Sequence, residues 1–344
     1  MTRKAGSTFV QVAVMVSVAA AVGASVFAVR SMSADAAAWR SAFGRPSEMP
    51  VPEGGPDTAA QVALGRQLFF DPDLSRSRTI ACASCHDPAQ HWGDGRMRGI
   101  GEPGIELKLR TPTLLNVAWL QPLGWDGKFP NLESVAFTPI EGANLMNFSE
   151  VELIARLRAD PDYVSAFARA FADRAITRAG IERALAAFQR TIVSGEAPFD
   201  RWLNGDASAI GASAQAGFAL FNGKARCTEC HGGWAFTDGS FHDIGVGRDD
   251  DVGRGRLFPT SKGLRYAFKT PTLRDVAQRG PYMHDGSVAT LRAVIDLYDR
   301  GGIERPSRSP KIRPLRLSET EKADLLAFLE TLTSAGPKQE AASR

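Results

Sequence analysis

Apolar residues recur at three- and four-residue spacing in several stretches of the chain, which predicts a mainly α-helical protein. One such stretch runs from Ala59 to Phe70 and stops at Asp71-Pro72. Another runs from Leu291 to about Arg300, with Gly301 as its stop. Further helices are predicted at about 150–158, 161–173 and 178–193, in a short stretch capped by Ser213, and after the capping box of Ser318 and Glu321.

The N-terminal stretch has the pattern of an export segment. Arg3 and Lys4 precede an uncharged apolar run from Phe9 to Val29, and Ala34-Asp35-Ala36 then offers a small-residue cleavage site. The sequence therefore predicts a signal peptide over residues 1–36. The apolar run of about 21 residues is also just long enough to span a bilayer, so a retained membrane anchor is the alternative. Either outcome places the rest of the chain in the periplasm.

All four cysteines lie in two copies of one motif, at Cys82-Ala83-Ser84-Cys85-His86 and Cys227-Thr228-Glu229-Cys230-His231. Two thiols at this spacing can bond to the vinyl groups of one haem, and the adjoining His then meets the iron. A zinc site or a redox dithiol requires no His directly after the second Cys. The sequence therefore predicts two covalently bound c-type haems, attached through Cys82, Cys85, Cys227 and Cys230 and ligated by His86 and His231.

Composition agrees with a loop-rich protein that holds two haem domains. The 344 residues include 33 Gly and 20 Pro, with 44% hydrophobic and 23% charged residues. We place the first haem domain at 37–208 and the second at 209–344, with the boundary near 205–211. The net charge of +3 is modest, and no stretch interleaves basic and aromatic residues, so no nucleic-acid partner is expected.

An internal repeat links the two halves. The segment from Arg110 to Leu132 aligns without a gap with the segment from Lys269 to Leu291, and the two share Thr-Pro-Thr-Leu near the start and Asp-Gly further on. The period is far longer than a solenoid unit. We therefore expect two related haem domains packed face to face, with Trp125 opposite His284 in the alignment.

The same alignment places Pro139 opposite Tyr298. Tyr298 shares the apolar face of its predicted helix, and a Tyr beside a haem can ligate the iron. A core Tyr bonded to the backbone is the alternative, and Met283 and His284 are competing ligands. Pro139 has no donor atom on its side chain, so the first iron is expected to be open to peroxide, while the second exchanges electrons. Trp125 lies in a Gly-Trp-Asp-Gly turn, where an indole between two haems would be a relay.

Several motifs of this sequence resemble those of the bacterial dihaem cytochrome c peroxidase superfamily. They are the two haem motifs, together with Thr111-Pro112-Thr113-Leu114-Leu115-Asn116, Trp125-Asp126-Gly127 and Pro281-Tyr282-Met283-His284-Asp285-Gly286. The resemblance covers nearly everything after the export segment. Ordinary peroxidases of that superfamily carry Met at the position of Tyr298, whereas the MauG-like branch carries Tyr. This sequence is similar to the MauG-like branch.

The resemblance implies that His86 and His231 are proximal ligands, that Tyr298 is the distal ligand of the second haem, and that Trp125 couples the two irons. Pro139 matches a Pro of the distal pocket. The implied activity is oxidation of Trp residues in a methylamine dehydrogenase precursor by hydrogen peroxide, which yields the tryptophan tryptophylquinone cofactor.

Some positions depart from the family pattern. Leu145-Met146 stands where the family has a distal Glu before Met, so proton delivery is expected from Glu141 or from water. An Asn that helps to hold calcium between the haems is replaced by Arg110, and a Thr whose carbonyl contributes is Arg279; a guanidinium is expected in the cation's place. The exposed Trp that passes electrons from the substrate protein is Ala225.

Three functions follow from these residues. The first is a MauG-type enzyme that oxidises Trp in a partner protein. The second is a cytochrome c peroxidase that reduces peroxide with electrons from a small cytochrome c. The third is an electron carrier without catalysis.

Overall fold

The structure is a computed structural model that describes residues 37–102 and 104–335. The predicted export segment, 1–36, lies outside the described residues. In this part of the chain, a short helical segment at 37–43 precedes ten further α-helices. They are α1 (Ala59–Phe70), α2 (Cys82–Cys85), α3 (Phe137–Glu141), α4 (Glu150–Ala159), α5 (Pro161–Ala170), α6 (Arg178–Arg190), α7 (Pro198–Leu203), α8 (Ala212–Asn222), α9 (Leu291–Arg300) and α10 (Glu319–Glu330).

Strands are few and short among the described residues. β1 (Ile100–Gly101) pairs antiparallel with β2 (Ile105–Glu106), and β3 (Phe241–His242) pairs antiparallel with β4 (Phe268–Lys269). In β3 and β4, Phe241 lies opposite Lys269 and His242 opposite Phe268. Long loops and single turns of 3₁₀-helix connect the other elements. The predicted fold class, mainly α and loop-rich with two cytochrome c-like domains packed together, is confirmed.

Each half has its own hydrophobic core around one close helix crossing. In the first core α1 packs on α6, and in the second α8 packs on α10. A glycine sits at each crossing: a Cβ on Gly65 would lie 1.8 Å from the carbonyl oxygen of Ala184, and one on Gly217 would lie 1.9 Å from that of Asp324. Only glycine lets the backbones approach this closely. In both halves, therefore, a glycine brings two core helices into close contact.

The internal repeat is also a structural repeat. In the first copy Leu123 bridges to Phe129, and at the aligned place in the second copy Tyr282 bridges to Val288. Asn116 and the aligned Asp275 both have the left-handed backbone conformation at the start of a 3₁₀ turn. The aligned segments therefore share their local backbone.

The two copies of the repeat contact each other reciprocally. The main-chain N–H of Arg110 donates to the carbonyl of His284 at 2.8 Å, and the N–H of Lys269 donates to the carbonyl of Trp125 at 2.9 Å. Since Arg110 aligns with Lys269 and Trp125 with His284, these are two equivalent bonds made in opposite directions. We call this contact surface, between 110–125 and 269–284, the seam.

Helices with clear local signals begin and end close to where the sequence predicts. α1 and α9 match the predicted bounds, and Ser318 and Glu321 form the predicted capping box of α10. The cap assigned to Ser213 is wrong. Gly211 is the N-cap of α8, and the Ser213 hydroxyl donates instead to Asp324 of α10. The tertiary contact to α10 decides the role of this hydroxyl.

Two segments at the ends of the predicted first domain pack in the second core. Phe43 follows the predicted export segment and Phe199 belongs to α7, yet both lie against Phe218 and Phe236 of the second half, and Leu203 of α7 belongs to the same core. The boundary near 205–211 stays a prediction, and packing crosses it. Within the described part of the chain, no helix has the length and apolar character needed to cross a membrane.

Candidate cofactor site

A cavity of about 750 Å³ runs between the two halves and is lined mostly by apolar side chains. Both cysteine motifs reach it, with Cys82, Cys85 and His86 from one half and Cys227, Cys230 and His231 from the other. Trp125, Pro139 and Tyr298 line it as well. An apolar cavity with a few converging polar groups is the usual form of a cofactor site. The structure thus brings nearly all of the predicted site residues to one place.

The two motif histidines are oriented by the backbone. Nδ1 of His86 lies 3.2 Å from the carbonyl oxygen of Trp92, and Nδ1 of His231 lies 2.8 Å from that of Phe236. Such a bond fixes the ring and leaves Nε2 as the nitrogen that can ligate a metal. Burial, the largest cause, lowers the pKa of both imidazoles, which favours the neutral form needed for ligation. Both rings fit the role of haem ligand.

The four motif thiols do not have the character of reactive redox cysteines. Burial, the largest cause in each, raises the pKa of all four, and to about 12 for Cys82 and Cys227. A reactive dithiol needs a thiolate near neutral pH. Among the described residues the one candidate metal cluster, Cys230 with Asp238 and His242, contains a single cysteine. Thiols in an apolar cavity, each pair beside an oriented His, fit covalent haem attachment instead.

Tyr298 lies on α9 and faces the second motif. Burial raises the pKa of its phenol, and the neighbouring Cys227 and Cys230 raise it further. The phenol is therefore neutral in this surrounding unless a positive charge such as ferric iron comes close. Pro139, the aligned residue, lies on α3 and lines the first part of the cavity. The second half thus has a phenol at the place where the first half has a proline without a donor atom.

The two competing ligands for the second iron differ in whether a donor atom is already hydrogen-bonded. His284 is buried, its ring stacks on Phe268 at 3.5 Å, and its Nε2 lies 2.6 Å from a carboxylate oxygen of Asp251. That nitrogen is engaged by the carboxylate. Met283 lines the cavity and stays an alternative to Tyr298.

Trp125 is held from both sides of the seam. Its indole Nε1 donates to the carbonyl of Arg110 at 2.8 Å, and its own carbonyl accepts from Lys269 at 2.9 Å. The ring lines the cavity and meets His284 edge to face, with ring centroids 6.4 Å apart. A fixed indole between the two parts of the cavity is suited to carry electrons between them.

Glu141 does not reach the cavity. Its side chain is 43% exposed, its carboxylate lies 3.5 Å from Arg178, and it is outside the set of lining residues. A proton donor to the cavity is therefore not expected at Glu141. This position contradicts the role that the sequence suggested for it.

A second carboxylate near this part of the chain is buried, but it also lies outside the residues that line the cavity. Glu102 is 6% exposed, its main-chain N–H donates to the carbonyl of Leu145 at 2.9 Å, and its carboxylate accepts from the N–H of Ser77 at 3.2 Å. Leu145 itself lines the cavity with Pro139. Sequence patterns give no signal for this contact, since Glu102 and Leu145 are far apart in the chain.

The chain is similar to known proteins along most of its length. Residues 59–208 match the family model described as di-haem cytochrome c peroxidase, and residues 214–333 match the cytochrome c model. The methylamine utilization protein MauG of Methylorubrum extorquens is 50% identical over 90% of this chain and 88% of its own. A cytochrome-c peroxidase of a Pseudomonas species is 38% identical over 84% of this chain and 85% of its own.

A solved structure has the same fold. It is a MauG-like protein associated with microbial copper homeostasis, which superposes with a TM-score of 0.78 at 33% sequence identity. The match covers 85% of this chain and 95% of that one. The relatives are haem-dependent oxidoreductases by name, and the cavity described above has the residues that haem requires.

Proposed function

This chain belongs to the di-haem cytochrome c peroxidase family, and on that premise we propose that it is a periplasmic enzyme of the MauG type. It would use hydrogen peroxide to oxidise Trp residues of a partner protein, the precursor of methylamine dehydrogenase. The observation that carries this proposal is the placement of the Tyr298 phenol beside the second cysteine motif, with Pro139 at the aligned place in the first half.

Each motif would hold one haem. Cys82 and Cys85 would attach the first and His86 would ligate it, while Cys227, Cys230 and His231 would do the same for the second. When bound, the haems supply an iron at which peroxide is reduced and an iron that exchanges electrons. Tyr298 would ligate the second iron, and because Pro139 offers no ligand, the first iron would stay open to peroxide.

The chain's own residues then have separable tasks. Reduction of peroxide to water consumes two protons and two electrons. Glu102 is buried and bonds to Leu145 through its main chain but lies outside the cavity lining, so it would have to pass protons to the distal side through water. Trp125, fixed across the seam, would carry electrons between the two haem sites. The electrons come from the Trp side chains of the partner protein.

The direct test is to incubate the holoprotein with hydrogen peroxide and the methylamine dehydrogenase precursor. Appearance of quinone absorbance is the expected result. A matched incubation without peroxide controls for spontaneous oxidation. No quinone absorbance, with both haems attached and peroxide consumed, would reject the Trp-oxidising function.

A second function is favoured by one residue. Ala225, at the position where the resemblance expects an exposed electron-accepting Trp, is 5% exposed and cannot take up electrons from a partner. A cytochrome c peroxidase needs no Trp there if a small cytochrome c docks elsewhere. Rapid peroxide turnover with reduced cytochrome c, and slow oxidation of the precursor, would favour this function.

A further inference from the structure

Two arginines are buried at the seam. Arg110 of the first repeat is 9% exposed and Arg279 of the second is 8% exposed, and both line the cavity. A guanidinium nitrogen of Arg110 donates to the carbonyl oxygen of Arg279, and a guanidinium nitrogen of Arg279 donates to the carbonyl of Thr272 at 2.6 Å. Two positive charges therefore lie close together where the halves meet.

Neither guanidinium has a carboxylate partner among the residues that the structure describes. In both arginines the Nε–H is buried and makes no hydrogen bond in that part of the chain. Two acids act on them by charge without bonding to them. Asp94 accepts from Thr111 at 2.8 Å, and Asp275 accepts from Ser334 through one oxygen while its other oxygen is buried without a partner among the described residues. Burial lowers the pKa of Arg279 to about 10 and the charge of Arg110 lowers it too, while Asp275 acts in the opposite direction.

A third buried arginine has the carboxylate partner that Arg110 and Arg279 lack, although one of its guanidinium nitrogens is likewise without a hydrogen bond among the described residues. Arg274 is also buried, and it donates to the carboxylate of Asp200 at 2.6 Å and to the carbonyl of Trp234 at 2.7 Å. Arg110 and Arg279 bind only carbonyls and point into the cavity. A buried charge is costly unless it is paired. Their missing partner is therefore an anion that enters the cavity.

The calcium ion implied by the resemblance does not fit here. The Arg110 guanidinium already occupies the Arg279 carbonyl, which the ion would need as a ligand. Calcium prefers carboxylate and carbonyl oxygens, and two adjacent cations repel it. These residues supply positive charge to the seam and do not supply a calcium site.

We infer that Arg110 and Arg279 bind propionate carboxylates of the two haems at the seam and take the place of a bound metal ion. The inference rests on the proposed binding of haem in this cavity. Each haem carries two propionates, which are its anionic side groups, and guanidinium groups pair well with carboxylates. The arginines would thus hold both haems to the surface that also fixes Trp125.

The test measures the reduction potentials of both haems in the holoprotein by spectroelectrochemistry, in wild type and in R110Q, R110K and K262Q. Removing a buried positive charge favours the oxidised iron, so R110Q should lower the potential of at least one haem. R110K keeps the charge and should retain most of the wild-type potential. Lys262 is exposed to solvent and lies outside the cavity lining, so K262Q should leave both potentials unchanged.

Calcium dependence is measured on the same samples. Treatment with a calcium chelator should change neither the potentials nor the thermal midpoint of wild type, and elemental analysis should find no calcium. Bound calcium, or potentials that R110Q leaves unchanged, would overturn the inference. If R110Q does not fold, R279Q is measured in its place.

The outcomes separate this inference from the proposed function. If a variant has both haems, still oxidises the precursor and shows unchanged reduction potentials, the role of the arginines is rejected and the proposed function is not. A wild-type protein without two attached haems, or one that forms no quinone, would reject the proposed function whatever the potentials show.

Discussion

The main-chain N–H of Lys269 donates a hydrogen bond to the carbonyl oxygen of Trp125 across the seam, at 2.9 Å. The indole of the same Trp125 donates to the carbonyl of Arg110 in its own half. One residue is thus anchored by main-chain groups of both repeats. This anchoring fixes the ring relative to both parts of the cavity, as an electron relay requires.

Replacing Trp125 by Phe tests that relay. The variant keeps an aromatic ring but loses the pyrrole part of the indole and its Nε1 bond, and the lost bond should cost about 1 kcal/mol of stability. We expect two attached haems, a slightly lower denaturation midpoint, and slower electron exchange between the haems after peroxide is added, measured by stopped-flow absorbance. An unchanged exchange rate would remove Trp125 from the route.

Tyr298→Met tests the sixth ligand of the second haem. Electron paramagnetic resonance of the oxidised wild type should show one high-spin and one low-spin signal. The low-spin signal should change in the variant, and the reduction potential of that haem should rise because a Met ligand favours reduced iron. If the low-spin signal is unaffected, Met283 is the ligand, and Met283→Leu should then alter it.

The open side is tested at Pro139. Cyanide should bind readily to one ferric haem of the wild type, which would also exclude a simple electron carrier. Pro139→Met places a thioether at the position aligned with Tyr298, so we expect cyanide binding and the reaction with peroxide to be much slower in this variant. If cyanide binds to neither haem of the wild type, the first iron is not open.

Glu102 and Glu141 form a matched pair for proton delivery. Glu102→Gln removes a buried carboxylate that bonds to Ser77, and if this acid supplies protons to the cavity through water, the rate of the peroxide reaction should fall by about a hundredfold or more, the usual range for general acid–base catalysis. Glu141→Gln removes an exposed carboxylate near Arg178, and the rate should not change. The reverse pattern would restore the sequence-based interpretation.

The helix crossings should be intolerant of side chains. Gly65→Ala places a Cβ 1.8 Å from the carbonyl oxygen of Ala184, so α1 and α6 must separate, and we expect a loss of about 3 kcal/mol of unfolding free energy. Gly263→Ala adds the same atom where no heavy atom lies within 4 Å, and should leave stability nearly unchanged. Thermal denaturation of the two variants provides the comparison.

The amino-acid sequence by itself determined the local features. The bounds of α1 and α9, the capping box of Ser318 and Glu321, and the two haem motifs all depend on groups within about one helical turn of each other. The gapless repeat also needs no structure, and extending its alignment pairs Pro139 with Tyr298. Periodicity, caps and motif spacing are enough for features of this kind.

Only the tertiary structure decided the contacts between distant segments. The Arg110 guanidinium meets the carbonyl of Arg279, 169 residues away, and Glu102 meets Leu145 through the backbone. The sequence suggested Glu141 or water as the proton source, whereas the Glu141 side chain, on α3, is exposed beside Arg178. Proximity in the chain does not set the direction of a side chain, which depends on how the two halves pack around the cavity.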